Sequence, residues 1–542
     1  MLSLPQYDSD DGRAAALMEV REAYQFEERP LAGPPGIRET PDEEDLTFRQ
    51  KYKMLGDLSG TLVELGLAGL ENLIHPGAMG TMRQFEALYP GREQPRVVQR
   101  WHRDDEFGAQ RLVGTNPLLL RRCNGRDELP KDFAVPDEVV AEIAAAPLDV
   151  LARESRLYSL DFEIFEGITP KPGCYLAAPL CLFFVDRQRR LMPLAVQLEP
   201  RDPVGPVFTP LDAPTLWLLV KMWVQSADAM YQEVVSHLLP THLACETVWI
   251  AARRALSPRH PLHELLSPHY RSTIAINHHA RRELLAPGGP LHECFGTGLD
   301  GALELMRRGH AKWRYFAGDP LSDFAARGVG DPETLPGFYY RDDTLKVWRA
   351  TQKFISGVLD QFYHSDADVA GDTEVQAWIA EMVAVGLLGF PLDARGRLAT
   401  RTALLEVLTR AIFTASAEHA SINNGQFQYF GYIPDASGVM RRPPPRSKDL
   451  RLTEADLVET LPDLVTCCVQ ISIVHMLSTP PSHRLGEYPD SFFASVPGVR
   501  PHLDLLRSSL AAISSQIRRR NLVVEAPYPF LDPRLVGQSV EI

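Results

Sequence analysis

The chain has 542 residues, of which 45% are hydrophobic and 23% charged, a balance that supports a deep core and excludes a low-complexity or disordered chain. Its formal net charge of −14 speaks against a partner bound through a phosphate backbone, which would need clustered positive charge, so nucleic acid is not expected. Length alone leaves several ordinary domains or one large catalytic unit open.

From the start, residues 1–48 are polar, acidic and rich in proline and glycine. They read as an N-terminal extension that either wraps the body, residues 49–542, or stays disordered. "MLSLPQYDSDDGRAAAL" turns acidic early and lacks the basic, apolar and small-residue order of a signal peptide. The longest apolar stretches, such as "LWLLVKMWV", are broken by charge well short of a membrane span. A cytoplasmic location is the expectation, with secretion left open.

Helical periodicity runs over 50–75, 137–155, 212–256, 343–363, 371–388, 400–425, 453–477 and 501–519. Only 174–200 and parts of 157–168 read as strand, so the predicted fold is mainly α, with a small antiparallel β insertion. Residues 50–85, with "GDLSGTLVELGLAGLENLI", are amphipathic enough for a lid or a surface helix in transient membrane contact. An apolar face turned onto the body fits the same pattern. No internal repeat and no dividing linker is visible, and the proline run at 440–450 is short enough for an ordered loop. The cysteines at 123, 174, 181, 245, 294, 467 and 468 are odd in number, scattered and set in apolar runs. They read as reduced packing residues rather than a disulfide framework.

The stretch "SHLLPTHLACETVWIAARRAL" sets His237 and His242 at i and i+5, with Pro240 between them. On an ideal α-helix these lie about 140° apart, too far to share one metal ion. A π-bulge would bring them onto one face, and Pro240, without an N–H, favours such a distortion. Core histidines bonded to neighbours are the competing reading. A second constellation, "AEHASINNGQFQYF", puts His419 and Asn423 at i and i+4 with Gln426 about a turn beyond. Three imidazoles with an oxygen donor and no thiolate suit divalent iron or manganese. The spacing is not that of an HExxH zinc protease. His260, His263 and His269, among prolines, read as structural.

Here the chain resembles the lipoxygenases, over roughly 100–542 and in order. The resemblance is carried by "SADAMYQEVVSHLLPTHLACE", "HPLHELLSPHYRSTIAINHHAR", "YYRDDTLKVW", "SDADVAGDTEVQAW", "EHASINNGQF", "MRRPPP" and "NLVVEAPYPFLDPRLVGQSVEI". It implies a single large helical catalytic domain, as in compact bacterial members without the family's N-terminal β-barrel lipid-binding domain. It implies a non-heme iron dioxygenase, with manganese the lesser choice, that adds O2 to polyunsaturated fatty acids of the linoleate or arachidonate class. The reacting unit would be a (Z,Z)-1,4-pentadiene, hydrogen abstraction would use a ferric hydroxide, and the product would be a conjugated hydroperoxide.

Carried over residue by residue, the resemblance makes His237, His242, His419, Asn423 and the terminal carboxylate of Ile542 the metal ligands, with no catalytic side chain beyond the metal-bound hydroxide. Glu233 and Gln426 fall on a hydrogen-bonded pair linking metal to cavity. Leu284 and Leu291 fall beside the reacting pentadiene, and Ala229, Cys294 and Phe295 at positions setting cavity depth, where a small Ala229 conflicts with a bulky Phe295. Ala280 falls at a chirality position, where alanine implies the S product. The chain departs from the pattern at Gln232, often a non-ligating histidine, and at His279, where some animal members place an arginine that holds the substrate carboxylate. Two alternatives share the fold: an epoxyalcohol-forming hydroperoxide isomerase and a non-catalytic lipid-binding protein.

Overall fold

A computed structural model describes residues 2–8, 12–45, 79–89, 93–200, 202, 205–316 and 319–541. The β insertion is a five-stranded antiparallel sheet in the order β1 (Arg121–Arg122), β2 (Leu157–Asp161), β3 (Leu180–Val185), β4 (Leu191–Gln197) and β5 (Val207–Phe208). The stretch expected as strand at 174–200 is thus a loop and two strands, joined by a turn in which Arg189 takes a φ of +63°. Every residue of β3, Leu-Cys-Leu-Phe-Phe-Val, is buried, because one face meets the helical body and the other a satellite core with Val140, Leu148 and Leu151. A strand covered on both sides loses the alternation of a half-exposed one.

Within the described residues the helical periods map onto helices, with breaks where backbone chemistry demands them. The 137–155 stretch splits into Asp137–Ala144 and Leu148–Arg153 around left-handed Ala145 and Pro147. The 453–477 stretch splits into Glu454–Thr460 and Leu464–Leu477, bent by 69°. Helices at Thr273–Glu283 and Gly298–Lys312 carry no counterpart in the sequence reading. The amphipathic stretch at 50–85 lies outside the described residues except for 79–85. No single described helix is long and apolar enough to cross a membrane.

The described residues of 2–45 follow the surface of the body. In the Gly12–Ala23 helix, Arg13 makes a two-pronged ion pair with Glu374 (2.6 and 3.0 Å). Beyond it a small hairpin, closed by a bridge between Phe26 and Ile37, lies along the central helical rod. That rod runs through Pro214–Tyr231, Gln232–Leu243 and Ala244–Ala255, and is buried along nearly its whole length.

A buried polar network braces the rod. Gln225 and Gln110 each donate an amide N–H to Asp435 (3.1 and 2.9 Å), and burial pushes the Asp435 carboxyl up to about 7. The folded state therefore keeps a proton that the unfolded chain releases near pH 4, and its stabilising effect is complete below that pH and lost as pH rises through about 7. Asp435→Asn is expected to gain stability relative to the unaltered protein across this window, by about 1.4 kcal/mol per pH unit. Denaturant titrations of both proteins at pH 5, 6 and 7 test this, and a pH-independent difference would refute it.

Candidate metal centre

Pro240 has no N–H to return to the preceding turn, and the structure resolves the conflict by making Gln232–Leu243 a π-helix with Pro240 inside it. The looser winding puts residues five apart on one face. The rings of His237 and His242 have centroids 4.7 Å apart and their Nε2 atoms stand 3.1 Å apart. A second π-helical turn, Thr414–Glu418, delivers His419 to the start of the His419–Asn423 helix. Its ring centroid lies 5.3 Å from that of His237 and 5.1 Å from that of His242. All three imidazoles are buried, and one nitrogen from each falls within 4.8 Å of the others.

The hydrogen bonds fix which nitrogens face inward. His237 Nδ1 lies 3.1 Å from a Glu233 carboxylate oxygen, an acceptor only, so Nδ1 carries the proton. His242 Nδ1 lies 3.0 Å from Asn277 Oδ1, and Asn277 donates its own amide to the His242 carbonyl (2.7 Å), which sets the amide's direction. In the neutral rings both Nε2 atoms then present lone pairs to one another. Burial and the neighbouring histidines hold His242 down to about 3 and His419 well below the ordinary range, which keeps them neutral. His419 Nε2 is itself buried without a hydrogen-bond partner. Facing lone pairs beside an orphaned nitrogen are electrostatically unfavourable alone and favourable around a cation. The donor set therefore fits a metal ion of the iron or manganese kind.

Asn423 is buried on the same helix, donating its amide to the Leu477 carbonyl while Oδ1 accepts from Gln426 Nε2 (3.0 Å). The expected Glu233–Gln426 hydrogen bond is replaced by these contacts. Each side chain takes a complementary partner about one turn away on its own segment, Glu233 with His237 and Gln426 with Asn423. Gln232 donates to the Ile422 carbonyl (3.1 Å) and so ties the π-helix to the His419–Asn423 helix. Ile542 lies outside the described residues. Just before it Val540 is fully buried, Ser539 donates to the Arg271 carbonyl (3.1 Å), and the Gln538 carbonyl accepts from His269 (3.0 Å). His260, His263 and His269 all have protein partners: Asp372, Arg253 and Tyr488 respectively.

A narrow cavity of about 50 Å³ runs beside Glu233 and Gln426. Of the expected wall residues, Ala229, Leu284, Leu291, Cys294 and Phe295 line it. His279 and Ala280 do not; they sit half-buried on the Thr273–Glu283 helix, and Leu284 N–H bonds to the Ala280 carbonyl one turn later. The rest of the wall includes Gln470, Val474 and Leu477 of the Leu464–Leu477 helix, absent from the sequence reading. Asn277 was also missed. Its signal was an amide beside Ile274 and Ala275 on the buried face of "TIAIN".

Three buried imidazoles, two of them with facing lone pairs and the third with an unpartnered Nε2, beside an apolar cavity in a mainly helical body, define a candidate non-heme metal site serving an apolar substrate. The sequence model of the lipoxygenase family matches residues 92–526. The mouse polyunsaturated fatty acid lipoxygenase ALOX12 is 34% identical over 94% of this chain and 76% of its own. The mouse hydroperoxide isomerase ALOXE3 is 35% identical over 82% of this chain and 63% of its own. An anaerobic crystal structure of a lipoxygenase in complex with arachidonate superposes with a TM-score of 0.93 at 29% identity, covering 100% of this chain and 83% of that one. The chain belongs to the lipoxygenase family and is an oxidoreductase of the dioxygenase type.

Proposed function

We propose that this chain adds O2 to polyunsaturated fatty acids of the linoleate or arachidonate class, giving conjugated hydroperoxides at an iron centre. His237, His242, His419, Asn423 and the Ile542 carboxylate would hold the iron. The observation that carries the reading is the pair of facing Nε2 atoms, 3.1 Å apart, beside a cavity lined by Leu284 and Leu291. When bound, the metal would supply one-electron redox and base chemistry towards a bis-allylic C–H bond.

The protein's own part is orientation and exclusion of water. Glu233 and Asn277 hold the two imidazoles in one tautomer and direction. Leu284, Leu291 and Phe295 supply an apolar wall for one segment of an acyl chain beside the centre, and Gln426 holds the Asn423 amide. The Asn423 oxygen keeps a second lone pair free for weak, adjustable coordination. Half-buried His279, away from the cavity wall, would hold a carboxylate head group only weakly.

Oxygen uptake followed together with conjugated-diene absorbance on linoleate and arachidonate, with metal content read from the same sample, tests the reading. Matched oxygen loss and diene gain with about one iron per chain is the expected result. Consumption of fatty-acid hydroperoxide without oxygen uptake would instead favour an isomerase, and a chain without bound metal would overturn the ligand assignment. The product is expected to be the S hydroperoxide on the family resemblance at Ala280 alone, since that residue stands outside the cavity wall. Ala280→Gly is expected to turn the mixture towards R, and chiral chromatography showing an unchanged ratio would refute a role for that position.

A further inference from the structure

Behind His242 the structure stacks three tiers of contact. In the first, His242 Nδ1 meets Asn277 Oδ1 at 3.0 Å and the Asn277 amide returns to the His242 carbonyl at 2.7 Å. In the second, Glu246 stands one helical turn after His242, and Arg281 one turn after Asn277. Their side chains form a two-pronged ion pair of 2.6 and 2.7 Å, with Glu246 fully buried. In the third, the N-terminal hairpin closes over that pair. Ile37 donates its N–H to Glu246 (2.9 Å), Thr247 donates to the Pro35 carbonyl (2.8 Å), and Gly36 lies against the guanidinium. A β-carbon at Gly36 would stand 2.3 Å from Arg281 Nη1 and 2.5 Å from its Cζ, so only glycine fits there while the pair is intact.

The arrangement has a mechanical consequence. Asn277 belongs to the Thr273–Glu283 helix and His242 to the central rod, so the first tier holds only while these elements keep one register and rotation. A planar guanidinium gripping a carboxylate with both prongs fixes both quantities, which a point charge does not. The hairpin backbone supplies Glu246 with a further donor and blocks the guanidinium from turning out of plane.

We propose that Glu246 and Arg281, capped by Gly36 and Ile37, are positioning residues that aim His242 Nε2 and thereby set the affinity of the centre for its metal. The proposal rests on the metal-site reading above. It extends the site's support to residues of the N-terminal hairpin, far upstream in the chain from every ligand.

The test is Fe2+ affinity under anaerobic conditions, measured by chelator competition on the full chain, with the electron paramagnetic resonance line shape of the oxidised samples. The variants are Gly36→Val, which crowds the guanidinium while leaving the Glu246 and Arg281 side chains themselves unchanged, and Arg281→Lys, which keeps the charge and removes the fork. Val140→Ala, in the satellite core beneath the sheet, reports what general destabilisation does. Affinity is expected to fall roughly 10- to 100-fold in the first two, with an altered line shape, and to hold in the third. Fe2+ binding by the unaltered chain with equal binding by Gly36→Val and Arg281→Lys, or a matching loss in Val140→Ala, would overturn this proposal alone. No Fe2+ binding by the unaltered chain would overturn the metal-site reading and this proposal with it.

Discussion

His419→Ala is expected to abolish both metal retention and oxygen uptake while leaving the metal-free protein almost as stable as before. The two halves of this expectation come from one observation, the buried His419 Nε2 without a hydrogen-bond partner. In the metal-free chain an orphaned buried nitrogen costs about 1–3 kcal/mol of unmet solvation, so deleting it returns part of what the lost ring packing removes. With metal bound, that same nitrogen is a ligand. Its loss should lower affinity by more than the roughly 10- to 100-fold that outer-sphere partners carry. Binding to the folded state alone adds about 4 kcal/mol when free metal exceeds Kd a thousandfold, so the unaltered protein should gain a large shift in melting temperature with Fe2+ and His419→Ala none. Equal shifts in the two would show that His419 is not a ligand.

The second large effect concerns a charge rather than a ligand. Arg111 donates to Asp228 at 2.6 Å, Asn116 donates to the other Asp228 oxygen at 2.6 Å, and Ser236 donates to Asn116 at 2.9 Å. Both ions of the pair are buried, and the chain of contacts ends on the residue immediately before His237. Asp228→Ala strands a guanidinium that cannot shed its charge, and breaking a buried pair from one side costs about 3–5 kcal/mol. Urea unfolding monitored by far-ultraviolet circular dichroism should register that loss. Adding Arg111→Met to Asp228→Leu should recover most of it, since a well-packed apolar pair removes the desolvation cost of both ions. A cost below about 1 kcal/mol for Asp228→Ala would mean that water reaches Arg111 and the network does not brace the π-helix.

Much of the site is legible in local sequence because its main devices are local. The i, i+5 spacing of His237 and His242 with Pro240 between them conflicts with α-helical geometry, and a π-helix is the short-range way to reconcile it. Likewise His419 and Asn423 at i and i+4 share a face wherever that helix lies. The long helical periods also mark core-facing stripes, which survive folding as the buried face of each helix.

Other features were beyond local reading because they pair residues far apart in the chain. The turn Thr414–Glu418 is π-helical without a proline to announce it. Asn277 becomes a partner of His242 only when two helices take one register, and Glu246 meets Ile37 across more than two hundred residues. The β3 strand hides its alternation because tertiary packing covers both faces. His279 and Ala280 show the converse limit: resemblance assigns them to the cavity, yet the end of the Thr273–Glu283 helix leaves them outside its wall while Leu284 enters it. The sequence by itself determined the helical class, the donor types gathered at the site and the local distortion that pairs His237 with His242, since these follow from side-chain chemistry at fixed spacing. Only the tertiary structure decided which nitrogens face inward, which residues wall the cavity and what holds His242 in place, because hydrogen bonds and packing between distant segments exist only once the chain has closed on itself.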